Sequence, residues 1–280
     1  MIRLEKDSNG IININNLNVN VDIIKPQRSG LKFVKDDKTY FFKKGNKHVL
    51  FKELLASRVA STMGIKHACY EAASYNGEDG IICSAVNKGD EEFISLWEMK
   101  KNLKLNSVSN SIDSMNKRIL PKICPINKEE EFDKFMDIIN FDILLANSDR
   151  NVKNIGFIKS GDNYRIAPIF DNEEIANTLA IDEHSYSFDV TNKKFDGLNH
   201  DTIIDLFKNK NYGYYLNDAL SVFSLYDLYD LVDNINSLYS NYFDKDFEVF
   251  ILDEIKRNIK ILKEYKYEYY DESKMLRKNK

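Results

Sequence analysis

The stretch that most constrains this chain runs from Phe141 to Asn172. Phe141-Asp142-Ile143-Leu144-Leu145-Ala146 reads as the end of an apolar helix, and Asn147-Ser148-Asp149-Arg150-Asn151-Val152-Lys153-Asn154 as a polar loop. Two short apolar strands follow, joined by Lys159-Ser160-Gly161-Asp162-Asn163, and the second ends in Pro168-Ile169-Phe170-Asp171. Apolar segments on both sides give the polar loop a rigid seat. The loop carries Asp149 and, five residues on, Asn154, while Asp171 stands at the end of the hairpin.

These residue types suit one chemistry. Phosphoryl transfer needs positioning and charge neutralisation more than covalent help from the protein. Magnesium takes oxygen ligands, commonly one or two carboxylates completed by phosphates and water. Asp171 supplies a carboxylate and Asn154 a carboxamide oxygen; both are candidate metal ligands. Asp149 is placed to accept or orient the proton of an attacking hydroxyl, with Asn151 and Lys153 as further candidate catalytic residues. The layout is that of an ATP- and Mg2+-dependent phosphotransferase. An Asp-x-x-x-x-Asn spacing alone is weak, and the weight rests on its place between a helix and a hairpin ending in Ile-Phe-Asp.

The rest of the chain is read against that centre. Residues 1–24 alternate loosely as short strands, with apolar positions from Ile11 to Ile23, and Asn9-Gly10 suits a turn. Lys25–Lys32 is basic and turn-rich; Arg28, Ser29 and Gly30 lie where a phosphate-covering loop belongs, with backbone N–H groups near Gly30 as donors. Leu31–Lys35 and Lys38–Lys44 form a hairpin about Asp36-Asp37, and Lys43, ahead of Lys44, is the candidate for contact with the ATP phosphates. Strand neighbours face opposite ways, so only one of the two points into a cleft. Leu50–Ile65 has helical apolar spacing with Gly64 as its stop, and carries Glu53. Strands at 70–74 and 80–86 follow; backbone groups of Ser84, Ala85 and Val86 are the candidate adenine contacts, before a hinge at Asn87–Asp90.

Beyond the hinge, Phe93–Leu105 reads as a helix and Asn106–Lys128 as a Ser/Asn-rich connection with Pro121 and Pro125. Glu129–Ala146 is the helix that delivers the catalytic loop, with acidic residues suited to its N-terminus. Asn172–Asn199 is polar and loop-like, a substrate-docking or activation segment that holds Thr178, Ser185, Ser187 and Thr191 as phosphorylatable side chains. From His200 onward the spacing is helical, with apolar stripes at 222–238 and 247–262.

The expected fold is α+β and two-lobed, like a protein kinase. Residues 1–86 form a small mixed β-sheet lobe with one helix, and residues 87–280 a larger, mainly helical lobe. A net charge of -4 and the lack of a helix-turn-helix pattern exclude direct nucleic-acid binding as the default. The cysteines, Cys69, Cys83 and Cys124, have no CxxC spacing and fit a reducing, cytoplasmic setting. No apolar run approaches the roughly 20 residues of a membrane span, and a leaderless export route is left open.

The central segment resembles HipA-like serine/threonine kinases, close to the cell-translocating type and, more distantly, phosphatidylinositol kinases. The family pattern Asn-Thr-Asp-x-His-x-x-Asn, a hairpin, then Pro-x-(Tyr/Phe)-Asp is matched by Asn147–Asn154 and Pro168–Asp171. A second pattern is matched by Glu53, Ala56, Val59, Ala60, Met63, Gly64 and Ile65. The resemblance implies Asp149 as base, Asn154 and Asp171 as metal ligands, and a Lys43–Glu53 ion pair that holds the lysine over the phosphates. It also implies autophosphorylation, with Ser29 as the position to test, a protein substrate and an antitoxin-like partner. One position departs: the family histidine is Asn151 here, a donor without charge. Alternative readings keep the fold but change the acceptor to a small molecule or lipid head group, or remove catalysis and leave a nucleotide-binding pseudokinase.

Overall fold

The computed structural model describes residues 4–25, 30–105, 107–108, 111–177, 200–223, 225–239 and 242–270. Its N-terminal part is built on a six-stranded sheet in the order β1-β5-β6-β4-β3-β2. The strands are β1 (Ile12–Asn13), β2 (Val21–Lys25), β3 (Gly30–Lys35), β4 (Lys38–Lys44), β5 (Tyr70–Tyr75) and β6 (Glu78–Ser84). β3 and β4 meet at Asp36-Asp37, both at positive φ (50° and 58°), which gives the tight twist a two-residue hairpin requires. Alternation then sorts the side chains. Leu31, Phe33, Tyr40, Phe42 and Ile82 pack with Ile12, Ile14 and Leu17 into a small core on one face. Lys32, Phe41 and Lys43 take the other face, in register with Cys83 and Ile81 of β6.

Helix α1 (Lys47–Thr62) starts where the Asn46 side chain accepts from the Val49 N–H at 3.0 Å. It ends at Gly64, whose φ of 71° suits a residue without Cβ. Its Leu50, Leu54, Leu55 and Val59 are buried in the main core. The chain then turns back along Lys66–Ala68, which pairs with Ile169: Ala68 N–H donates to Ile169 O at 2.7 Å, and Ile169 N–H to Lys66 O at 2.8 Å. The segment leading into Asp171 is thereby fixed to the strip between α1 and β5.

Two sequence expectations are corrected after β6. Phe93–Leu105 is not one helix: β7 (Glu92–Ser95) comes first, then α2 (Leu96–Asn102), which opens with a Ser95–Glu98 capping box. Asn106–Lys128 is not a loose connection either. It contains a short helical run of α3 (Ile112–Ser114), a π-helical turn (Met115–Ile119) and α4 (Leu120–Ile123), with Ile112, Met115, Ile119 and Leu120 fully buried. Ser and Asn hid this run because they favour caps and turns locally, while four apolar side chains still found the core.

Helix α5 (Lys128–Leu145) crosses the core with Phe135, Met136, Ile139 and Leu144 fully buried. It ends at Ala146, in the left-handed region at φ 51°. β8 (Gly156–Ser160) and β9 (Asn163–Ile166) form the expected hairpin, and β7 joins them in a three-stranded sheet, β7-β8-β9. The chain closes with α6 (His200–Lys208), α7 (Gly213–Val222), α8 (Leu225–Tyr239) and α9 (Lys245–Tyr269). Asn258 of α9 donates to Ile143 O at 2.7 Å and to Leu144 O at 3.0 Å. The last helix thus gives Leu144 O a donor at the C-terminus of α5 and adds a second one to Ile143 O, which the Ala146 N–H reaches at 3.4 Å. Among the described residues no helix is long and apolar enough to cross a membrane.

Candidate active site

The loop after α5 is organised by a residue that sequence reasoning passed over. Arg150 is fully buried and pairs with Asp142 through two nitrogens, at 2.9 and 3.0 Å. It also donates to Asn154 O at 3.0 Å, Phe170 O at 2.6 Å and Asn172 Oδ1 at 2.6 Å. One guanidinium therefore ties the end of α5, the polar loop and the hairpin's last residues into one frame. The signal was present: an Asp inside an apolar helix, eight residues before an Arg, is too costly to bury unless the two are paired.

On that frame sit the sequence-predicted residues. Asn154 is buried; its Nδ2 donates to Asp149 O at 2.8 Å and to Asp149 Oδ2 at 3.3 Å. Asn151 Nδ2 donates to Asp149 Oδ1 at 2.9 Å, so the departure from the family's histidine leaves a side chain that holds the carboxylate in place. Lys153 is exposed, and its backbone N–H donates to Asn151 Oδ1 at 2.9 Å. The backbone of Asp171 has φ 58°, and its N–H donates to the Tyr70 hydroxyl at 3.1 Å.

From the sheet, Lys43 reaches across to Asp171 Oδ1 at 2.7 Å and to Glu173 Oε2 at 2.7 Å. Burial by itself would lower the pKa of the Lys43 ammonium; the Asp171 carboxylate, and Glu173 with it, outweigh this and hold it above the ordinary lysine range. The Lys43–Glu53 ion pair expected from the resemblance is not formed. Glu53 is fully buried and accepts from the Asn172 N–H at 2.9 Å, while its Oε1 has no hydrogen-bond partner. Burial foremost, and then the Asp171 charge, push the Glu53 carboxyl up to about 8. A neutral Glu53 is a poor partner for a lysine, and the side chains of Asp171 and Glu173, each 2.7 Å from Lys43 Nζ, compete for it. Glu173 is the further residue that sequence reasoning missed; in a chain so rich in acids nothing local marks it.

Gly30 lies opposite Lys43 in the β3–β4 register, which brings the end of the basic turn beside this lysine. Arg28 and Ser29 lie outside the described residues, as do Thr178, Ser185, Ser187 and Thr191. Ser84 and Ala85, with Lys32, Phe41, Cys69 and Asn87, line a cavity of ≈ 580 Å3 beside the end of β6. Val86 is not in its lining, nor are Lys43, Asp149 or Asp171. The Ala85 N–H donates to Thr39 O at 2.8 Å, so it is already used in the sheet.

A metal's fit rests on the donor set. Asn154 spends its Nδ2 on Asp149, and its Oδ1 accepts no hydrogen bond among the described residues. Together with Asp171 this gives two hard oxygen donors, the sparse set that suits magnesium shared with phosphates. Among the described residues no group of three or more His, Cys, Asp or Glu is arranged to hold a metal on its own.

A curled sheet with one helix, set against a helical part whose hairpin carboxylate meets a lysine of that sheet, defines a kinase-like α+β fold. Residues 17–210 match the family described as HipA-like C-terminal domain, and the chain belongs to that family. It resembles in structure CtkA, a proinflammatory kinase of Helicobacter pylori, with a TM-score of 0.67 and 16% identity over 92% of this chain and 98% of that one. It also resembles HipA of Shewanella oneidensis MR-1, solved with HipB and operator DNA, with a TM-score of 0.56 and 13% identity over 88% of this chain and 67% of that one. At these identities the likeness is one of fold. No curated protein matches the sequence.

Proposed function

We propose that this protein is an ATP- and Mg2+-dependent kinase that phosphorylates serine or threonine hydroxyls on proteins, itself included. The observation that carries the reading is the Lys43–Asp171 contact of 2.7 Å, which joins a sheet lysine to the hairpin carboxylate in one polar cluster. Residues 1–86 are assigned to the ATP-phosphate lobe and 87–280 to the catalytic lobe.

In this reading Asp149 orients the acceptor hydroxyl and takes its proton as the acceptor oxygen bonds to the γ-phosphorus and the bond to the β–γ bridging oxygen breaks, releasing ADP. Asn151 and Asn154 hold the Asp149 carboxylate for that task. Asn154 and Asp171 would hold the magnesium, which neutralises phosphate charge. Lys43 exchanges its contact with Asp171 for the α- and β-phosphates, with Gly30 and the Arg28-Ser29 turn covering them. Ser84–Val86 border the adenine. Lys153, exposed beside the loop, meets acceptor or phosphate charge. An antitoxin-like partner and a cytoplasmic site of action complete the proposal; HipA's own structure with HipB motivates the former.

The test is incubation of the full chain with radiolabelled ATP and magnesium, beside Asp149→Ala and Asp171→Ala. The wild type is expected to label itself or a generic substrate, and each variant to lose about 100-fold or more of that rate. No transfer by the wild type, or equal transfer by all three, removes the proposal.

A further inference from the structure

A second site lies away from the polar cluster, in a groove of ≈ 400 Å3 between the end of α1, the outer side of α5 and α7. Asp133, Asp137 and Asn140 are spaced three and four apart on α5 and share one face. Asp218 faces them from α7, and no Lys or Arg is among the described lining residues. Asp133 accepts from the Tyr215 hydroxyl, whereas Asp137 and Asp218 have no ion pair or hydrogen bond with any described residue. Asn140 is 3% exposed, lines the groove, and its Oδ1 has no hydrogen-bond partner. A buried, unpaired carboxamide oxygen costs roughly 1–3 kcal/mol unless a donor reaches it. The rings of Tyr214 and Tyr215 stack at 4.1 Å, and Tyr214 is 40% exposed.

A donor-only, cationic group fits these demands. The three carboxylates are too dispersed to form a metal cage among the described residues. A guanidinium instead presents five donors in a planar fork, stacks on aromatic faces and lays its methylenes along apolar surface. Met63 and Ile65 supply that apolar surface here.

We propose that this groove is a docking site for an arginine side chain presented by a partner polypeptide, held between Asp137 and Asp218, with Asn140 as acceptor and Tyr214 as stacking surface. It stands independently of the phosphotransferase reading.

The test uses the full chain and a fluorescein-labelled peptide Gly-Leu-Arg-Leu-Gly, beside the same peptide with citrulline or lysine at the centre, read by fluorescence anisotropy. The arginine peptide is expected to bind saturably below about 1 mM, and the citrulline and lysine peptides about tenfold more weakly. Asp218→Asn alone should weaken binding, and Asp137→Asn with Asp218→Asn should weaken it about tenfold, with unchanged melting temperature. Both positions are exposed, so the variants keep the fold. Equal binding of the citrulline or lysine peptide, full affinity in the double variant, or no saturable binding overturns the proposal.

Discussion

At the scale of single residues, the site is set by which buried charges find partners. Arg150 and Asp142 satisfy each other and leave spare donors for Asn154 O, Phe170 O and Asn172 Oδ1, so one guanidinium joins the three segments of the frame. Glu53 is the opposite case, a buried carboxyl with one oxygen unpaired and Asp171 nearby. Its folded pKa of about 8 lies above the ordinary carboxylate value, so the folded state binds its proton more tightly than the unfolded chain does. That contribution to stability is present at low pH and is lost as pH rises from about 4.5 to about 8. Glu53→Gln keeps an acceptor for the Asn172 N–H. It is expected to leave the melting temperature near wild type at pH 5 and to raise it at pH 8, where the gain in stability is roughly 4 kcal/mol. Thermal melts of both proteins at the two pH values decide this, and an E53Q protein less stable at pH 8 would show that Glu53 is ionised and paired.

At the scale of elements, the hairpin is pressed against β7 so closely that one position accepts only hydrogen. A Cβ on Gly156 would lie 2.2 Å from the ring of Phe93, and that ring meets Phe170 edge-on at 5.4 Å. Phe170 immediately precedes Asp171, so a push on Phe93 is passed to the carboxylate. Gly156→Ala is expected to cost about 1–3 kcal/mol by overpacking and to reduce label transfer more than nucleotide affinity. Comparing KM for ATP with kcat in this variant tests it; an unchanged kcat would mean that the hairpin absorbs the strain without moving Asp171.

At the scale of the whole molecule, distant segments hold the site together. The Lys66–Ala68 strip between α1 and β5 pairs with Ile169, and α9 supplies Asn258 to two carbonyls at the end of α5, more than a hundred residues earlier. Tyr239 of α8 donates to the buried Glu71 of β5 at 2.6 Å, and Lys6 pairs with the same carboxylate at 2.9 Å. Asn258→Leu keeps the volume but leaves the Leu144 carbonyl unpaired and Ile143 O with only the Ala146 N–H. It is expected to cost roughly 1–3 kcal/mol and to lower transfer by loosening the loop that α5 delivers. Denaturant titration with the transfer assay checks both; lost stability with full transfer would separate the α9 contact from the loop's position.

Sequence alone determined what is local. The α5–loop–hairpin order, the β3–β4 hairpin at Asp36-Asp37, α1 with its Gly64 stop and the family all follow from periodicity, turn chemistry and motif spacing within short windows. Tertiary structure decided what depends on burial and on rival partners far apart in the chain. It gave Lys43 to Asp171 and Glu173 rather than to Glu53, made Arg150 the hub, and turned the Ser/Asn-rich 112–123 segment into buried helix. The physical reason is the same throughout: an ion pair or a buried turn of helix is chosen by the desolvation of every group that meets there, and a linear pattern does not record which groups those are.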